Sequence, residues 1–306
     1  MPDHAPAPGG DDPLGLHGVV PPTVTAFDEA GDVDSEATAA HASFVVDRGV
    51  HGVFPLGTNG EFALCTPDER ERVVRAVVDA VGDAVPVIAG VGAPSTRETV
   101  ANAERAVAAG ADGVVAVTPY YYPLDAEAAV AHYRRVAGAV DVPLYVYHIP
   151  SKTGVHLDRE TVAEIAAIDG VAGLKDSSKD VPWLGQLIDD VPELTYMAGS
   201  DSLLAPGLSL GCAGLVSAVA NVAPELVVDC YESFDAGATD RARERQSTVY
   251  DVRAALKRGP YMAGVKAALS LRGDAPDAGG LRAPLRSMSD DERTALERDL
   301  AALGVL

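Results

Sequence analysis

The chain has 306 residues, 47% hydrophobic and 23% charged, which supplies apolar material for a large core and excludes a chain disordered throughout. Its 24 basic and 45 acidic residues give a formal charge of −21, which excludes nucleic acid and anionic membrane surfaces as partners. The basic residues comprise 5 lysines and 19 arginines, an acidic, lysine-poor balance that resembles the surface of a salt-adapted cytoplasmic protein and makes each lysine worth examining.

Residues 1–15 are rich in Pro, Gly and Asp without apolar periodicity and read as a disordered tail. They have neither the basic start nor the apolar core of a secretory signal, and no later stretch approaches ~18 uninterrupted apolar residues, so a cytoplasmic location is expected. From Gly18 onward, short β-branched runs alternate with longer segments of helical periodicity. Strands are predicted at Val19 to Thr25, Gly52 to Leu56, Val85 to Gly90, Gly113 to Thr118, Leu144 to Ile149, Val171 to Lys175, Leu194 to Ala198 and Gly214 to Ala218. Eight near-continuous apolar strands suit an α/β fold of the (β/α)8 TIM barrel type. A doubly wound sheet is the structural alternative, but no glycine-rich phosphate loop follows the first strand.

Thr66-Pro67-Asp68-Glu69, Ser95-Thr96-Arg97-Glu98 and Ser289-Asp290-Asp291-Glu292 each read as a capping box, and Gly49 and Gly110 punctuate helix ends. Helical patterns follow the eighth strand at Pro224 to Phe234, Asp240 to Lys257, Tyr261 to Leu271 and Ser289 to Leu303. The expected organisation is a tail over 1–15, a barrel over 16–236 and an appended C-terminal helical layer over 237–306. The cysteines Cys65, Cys212 and Cys230 form no C-x-x-C pair, so buried free thiols are expected. The seven histidines show neither H-x-H nor H-E-x-x-H spacing, which disfavours a metal-dependent chemistry.

Barrel enzymes work at the C-terminal ends of their strands, and polar residues gather there. Strand two ends in Gly57-Thr58-Asn59-Gly60-Glu61, strand four in Thr118-Pro119-Tyr120-Tyr121-Tyr122, and strand five in Tyr147-His148-Ile149-Pro150. Strand six ends in Lys175-Asp176-Ser177-Ser178, strand seven in Gly199-Ser200-Asp201, and strand eight in Ser217-Ala218-Val219-Ala220-Asn221. Lys175 closes a run with no other polar side chain. It is either paired with Asp176 or snorkelling to the rim, or it is an imine-forming amine with a lowered pKa. Tyr145 and Tyr147 share one strand face. Tyr147 is either packing or a proton shuttle, and Gly57–Gly60 is either a plain turn or, through Thr58 and the amides near Asn59, a carboxylate cradle.

Together these residues resemble the dihydrodipicolinate synthase and N-acetylneuraminate lyase family over roughly residues 17–300. The matching segments are PLGTNGEF (55–62), VTPYYYP (117–123), YHIPSKTG (147–154), GLKDSS (173–178), AGSD (198–201) and GLVSAVAN (214–221). The resemblance implies a class I aldolase, with no metal or organic cofactor, in which Lys175 forms a Schiff base with a 2-oxo acid and Tyr147 moves the proton of the C4 hydroxyl. It further implies that Thr58 links Tyr147 to Tyr121 of a neighbouring subunit and, with Asn59 and the backbone near Val216, holds the carboxylate. Lys152 and Ser200 would complete the substrate site, and the assembly would be a homotetramer, a dimer of dimers. A small 2-oxo acid and an aldehyde are the expected partners.

Lys152 stands where dihydrodipicolinate synthases carry Arg, and lysine lacks the bidentate fork. YYYP and GSD look instead like the archaeal 2-keto-3-deoxygluconate aldolases. The expected reaction is therefore cleavage of 2-keto-3-deoxy-(6-phospho)gluconate into pyruvate and glyceraldehyde or its phosphate. Asn59 replaces the commoner Thr or Ser, and Leu124 stands where some of those aldolases carry a basic phosphate contact, for which Lys152, Arg134 or Lys266 could substitute. The competing readings are a 2-keto-3-deoxy sugar-acid dehydratase using the same imine, a dihydrodipicolinate synthase, and a non-catalytic 2-oxo-acid-binding paralogue. His148 and His156 are expected to pack or face solvent.

Overall fold

The computed structural model describes residues 12–306. Among these, seven parallel strands form one sheet: β1 (Gly18–Val20), β2 (Ile88–Gly90), β3 (Gly113–Val117), β4 (Leu144–His148), β5 (Val171–Asp176), β6 (Thr195–Ala198) and β7 (Gly214–Val216), in the order β1-β7-β6-β5-β4-β3-β2. The eighth expected strand, 52–56, fills the gap between β2 and β1. It is an irregular segment tied to the ladder by the parallel bridge Val53–Val87. The Ile88 and Gly90 amides donate to Val53 and Pro55 on one side, and the Phe54 amide donates to Pro21 on the other. The barrel is thus closed.

Prolines explain the shortened ladder. Pro21, Pro22, Pro55 and Pro86 have no N–H to give, so β1 ends at Val20 and β2 begins only at Ile88.

Helices cover the outside of the barrel, and their starts follow the sequence. Thr66 and Ser289 form complete capping boxes, whereas Ser95 caps the Glu98 amide without the reciprocal bond. Two buried clusters lie on either side of the strands. An outer one between sheet and helices includes Leu144, Val146 and Leu174, and an inner one filling the barrel includes Phe54, Val117, Tyr145, Tyr147, Met197 and Val216. The C-terminal helices Thr239–Ala255, Tyr261–Leu271 and Asp290–Ala302 form the appended layer.

The tail expected at 1–15 needs correction at its end, and residues 1–11 lie outside the described residues. Asp12 accepts from the Leu14 and Leu16 amides and from the Tyr145 hydroxyl at 2.7 Å, which ties this segment under the barrel. All three cysteines are free and buried.

Candidate active site

The centre of the site is set by one irregularity in the sheet. Leu144 on β4 pairs with Val171 on β5, but the next residue, Tyr145, pairs with Gly173, so Ala172 is an extra residue that bulges from β5. The bulge reverses the in-out phase. Ala172 belongs to the inner cluster, and by plain alternation Leu174 would too; instead Leu174 faces the outer helices and Lys175 turns into the barrel. Lys175 thereby becomes the register partner of Tyr147. Gly173 is required beside the bulge, since a Cβ there would meet the Thr195 carbonyl at 2.4 Å and the Tyr145 ring at 2.8 Å.

Lys175 Nζ lies 3.7 Å from the Tyr147 ring centroid and 4.8 Å from that of Phe54, and the two rings meet edge-on. Only 5% of Lys175 is exposed. Burial pushes its amine below the ordinary lysine range, with Tyr147 and Asp201 acting in the opposite direction. Burial raises the Tyr147 phenol, but the Lys175 charge and hydrogen bonds with Thr58, Ser177 and Lys175 outweigh it, so the group falls below the usual phenol range. Asp176 is not the partner of Lys175. It points the other way, where it accepts from His148 Nδ1 at 2.8 Å. The Leu157 amide donates to His148 Nε2, so the Nδ1 atom carries the proton, and the ring packs 4.6 Å from Trp183. His148 is therefore a packing residue, and His156 is exposed beside the same tryptophan.

Thr58 Oγ1 lies 3.4 Å from Tyr147 Oη. Thr58 belongs to a tight turn in which the Gly60 amide donates to Gly57 and the Glu61 amide to Thr58, while the Thr25 hydroxyl donates to the Gly60 carbonyl. Gly60 has no room for a side chain, because a Cβ would meet the Leu56 nitrogen at 2.9 Å. Asn59 is buried with its Nδ2 unpartnered among the described residues, and so is Ser200 with its hydroxyl. A cavity of about 270 Å³ opens beside Thr58, walled by Phe62, Val117, Tyr120, Ile149, Lys152 and, from the C-terminal layer, Met262, Pro284 and Leu285.

The structure thus gathers Thr58, Tyr147, Lys175 and Val216 inside or at the mouth of the barrel, with Lys152 on the cavity wall. Tyr121 stands apart. It is 84% exposed, adopts a left-handed backbone with φ +83°, and packs its ring only against Tyr122 among the described aromatic pairs. Two residues considered for a phosphate also lie elsewhere. Arg134 is exposed on the helix Ala126–Ala137, and Lys266 is buried in an ion pair with Glu61 at 2.8 Å. Sequence reasoning missed Phe54 and gave Ser177 only a place at the end of strand six; the irregular segment 52–56 sends Phe54 inward and Leu56 outward, against simple alternation. Among the described residues, no three His, Cys, Asp or Glu side chains converge as a metal set.

An inward, desolvated lysine stacked on a tyrosine that meets a threonine is suited to imine formation coupled to proton transfer. A match to the dihydrodipicolinate synthetase family model runs over residues 15–303. The chain belongs to the dihydrodipicolinate synthetase family. Members of this family are pyruvate-dependent, Schiff-base carbon–carbon lyases and synthases, and the protein is an enzyme of that class.

A family member from Halobacterium salinarum, named an uncharacterized DapA-like lyase, is 74% identical over the whole of both chains. The 4-hydroxy-tetrahydrodipicolinate synthase of Methanopyrus kandleri is 37% identical, covering 95% of this chain and 97% of the relative. Among solved family structures, YagE, a prophage protein from E. coli K12 in complex with pyruvate, superposes with a TM-score of 0.91 at 29% identity, covering 95% and 99% of the two chains. The dihydrodipicolinate synthase of Thermotoga maritima does so with 0.89 at 31% identity and the same coverage. No helix among the described residues is long and apolar enough to cross a membrane.

Proposed function

We propose that the protein is a class I pyruvate-dependent aldolase of the cytoplasm. It would cleave a 2-keto-3-deoxy sugar acid such as 2-keto-3-deoxy-(6-phospho)gluconate into pyruvate and glyceraldehyde or glyceraldehyde 3-phosphate. The observation that carries the reading is Lys175 Nζ, buried and 3.7 Å over Tyr147, whose hydroxyl meets Thr58. The neutral amine attacks the C2 ketone, water leaves, and the protonated imine draws electrons from the C3–C4 bond. Tyr147 takes the proton of the C4 hydroxyl as that bond breaks and the aldehyde departs. The enamine is then protonated at C3 and hydrolysed to pyruvate and free Lys175. Thr58, the neighbouring amides and the unpartnered Asn59 Nδ2 hold the carboxylate at the inner end of the cavity, with Ser200 and the backbone near Val216 alongside and Lys152 toward the distal end of the substrate.

Tyr121, exposed and aromatic, fits the role of a relay residue donated to a second copy, with the cavity beside Thr58 as its receiver. A homotetramer built as a dimer of dimers follows from that reading. The names of relatives such as the Methanopyrus kandleri synthase favour a second reading, dihydrodipicolinate synthase activity. Lys152 weighs against it, since a single ammonium cannot grip a second carboxylate in the bidentate manner of Arg.

Borohydride reduction with pyruvate, followed by intact-mass measurement of wild type and Lys175→Ala in high salt, tests the imine. A one-pyruvate adduct on wild type alone is expected, and absence of an adduct on both proteins overturns the proposal. Product analysis with the sugar acid then separates the outcomes. Pyruvate plus an aldehyde supports the aldolase, and a dioxo acid with no carbon lost replaces it with the dehydratase.

A further inference from the structure

The turn that carries Thr58 and Asn59 is anchored from a distance. Glu61 closes the turn, donating its amide to the Thr58 carbonyl from a left-handed backbone at φ +52°. Oε1 of its carboxylate meets Lys266 Nζ at 2.8 Å, with both side chains almost wholly buried. The other oxygen accepts the Arg282 amide at 2.9 Å. Lys266 also donates to the Gly280 carbonyl at 2.7 Å. Glu61, Gly280 and Arg282 are thus drawn onto one ammonium and one carboxylate.

Lys266 lies on the helix Tyr261–Leu271, one turn beyond Met262, which lines the cavity. Gly280 and Arg282 belong to the irregular strap joining that helix to the last one, and the same strap supplies Pro284 and Leu285 to the cavity wall. The strap is further pinned by Arg282, whose guanidinium takes both Glu69 oxygens and the Gly31 and Leu64 carbonyls. The Phe27 ring lies 4.5 Å from Lys266 Nζ and 4.4 Å from Arg282 Cζ. Two cations and two carboxylates balance within this cluster, and a buried pair of this kind sets geometry more surely than it adds stability.

We infer that Lys266 and Glu61 are positioning residues that lock the C-terminal strap to the 57–61 turn, holding the carboxylate cradle and the distal cavity wall in one fixed relation. This deepens the proposed function and rests on it. Neither side chain touches the reacting atoms. The pair governs how well a 2-oxo acid is held, and Lys175 governs whether it reacts. Misplacement by about 1 Å of a substrate-holding group suffices for large losses, on the order of 10²-fold.

The test uses the full chain with Lys266→Met, Glu61→Gln and the double variant, in which no charge is left buried alone. Borohydride trapping is measured against pyruvate concentration, together with thermal melting. The expected result is a pyruvate half-saturation raised about tenfold or more in each folded variant, while trapping at saturating pyruvate proceeds at a near-normal rate. Because the two residues act as a unit, the double variant should be no worse than the weaker single one. Should a single variant fail to fold, the double variant carries the measurement. A purely structural pair would change the melting temperature and the folded fraction but leave the half-saturation within about twofold of wild type, and that result overturns the inference. Failure of wild type to form any adduct instead overturns the imine reading and this inference with it, so the two failures are told apart.

Discussion

Replacing Tyr147 by Phe isolates the proton-transfer step from everything else the ring does. The ring packs edge-on against Phe54 with centroids 6.4 Å apart and roofs Lys175 Nζ at 3.7 Å, and phenylalanine retains both contacts. What disappears is a hydroxyl lying 3.4 Å from Thr58 Oγ1, together with its bond to Ser177. Tyr147 also supports the charged form of Lys175, so its loss leaves the amine freer of its proton, and imine formation survives. Positioned acid–base groups contribute on the order of 10²–10⁴-fold. At 1.36 kcal/mol per decade this corresponds to about 2.7–5.4 kcal/mol of transition-state stabilisation. The assay pairs single-turnover cleavage of the sugar acid, followed by pyruvate release, with borohydride trapping of pyruvate on the same preparation. Cleavage should fall by roughly that factor, with trapping within about tenfold of wild type. Cleavage within about threefold of wild type would show that another group carries the C4 proton, and the assignment of Tyr147 would be withdrawn.

Lys175→Met should stabilise the fold at neutral pH. The native amine has a lowered pKa, so between that value and the unfolded ~10.4 the unfolded chain binds more protons, and wild-type stability rises with pH. The penalty is full below the native pKa, so the excess melting temperature of the variant should be largest at the acid end of the series and shrink as pH rises toward about 10; a gap that stays constant with pH contradicts the desolvation account. Glu69 behaves oppositely. The Arg282 guanidinium holds its carboxyl down to about 2, so this stabilisation is present above the usual carboxylate range and lost as pH falls toward about 2. Arg282→Met should lower the melting temperature at neutral pH and flatten its fall over that acid window, as read by melts at stepped pH. Tyr121→Ala should reduce cleavage by about tenfold or more while leaving trapping intact, if a second copy uses that side chain. Light scattering that shows a fully active monomer would refute its role.

The strand ends and their polar residues were legible because each apolar run ends abruptly in glycine, hydroxyl or charge. The alternation Leu144-Tyr145-Val146-Tyr147 put Tyr145 and Tyr147 on one face, and the structure turns that face inward. Lys175 could not be given a face in that way, since the bulge at Ala172 inverts the phase and depends on a register between two strands. The regular extent of strand 52–56 was overestimated because proline restricts the ladder without altering hydrophobicity. Lys266 was considered for a phosphate contact, but it is buried in an ion pair. Its partner Glu61 lies 205 residues earlier in a turn, and no local period connects the two. The strap over residues 273–288 was equally silent, having little periodicity of its own, yet it reaches Glu61 and Glu69 and walls the cavity.

The extra residue in β5 has a consequence for how this chemistry can be lost or gained. Most features of the site can be weakened by degrees, one side chain at a time. The phase of β5 cannot, because it is a matter of counting. Were β5 to pair straight through Ala172 without the skip, Leu174 would stand opposite Tyr147 and the amine would turn toward the outer helices, abolishing the nucleophile with every motif left unchanged. A chain carrying GLKDSS therefore holds a working lysine only when its register against the preceding strand is also right, and matching letters do not record that register.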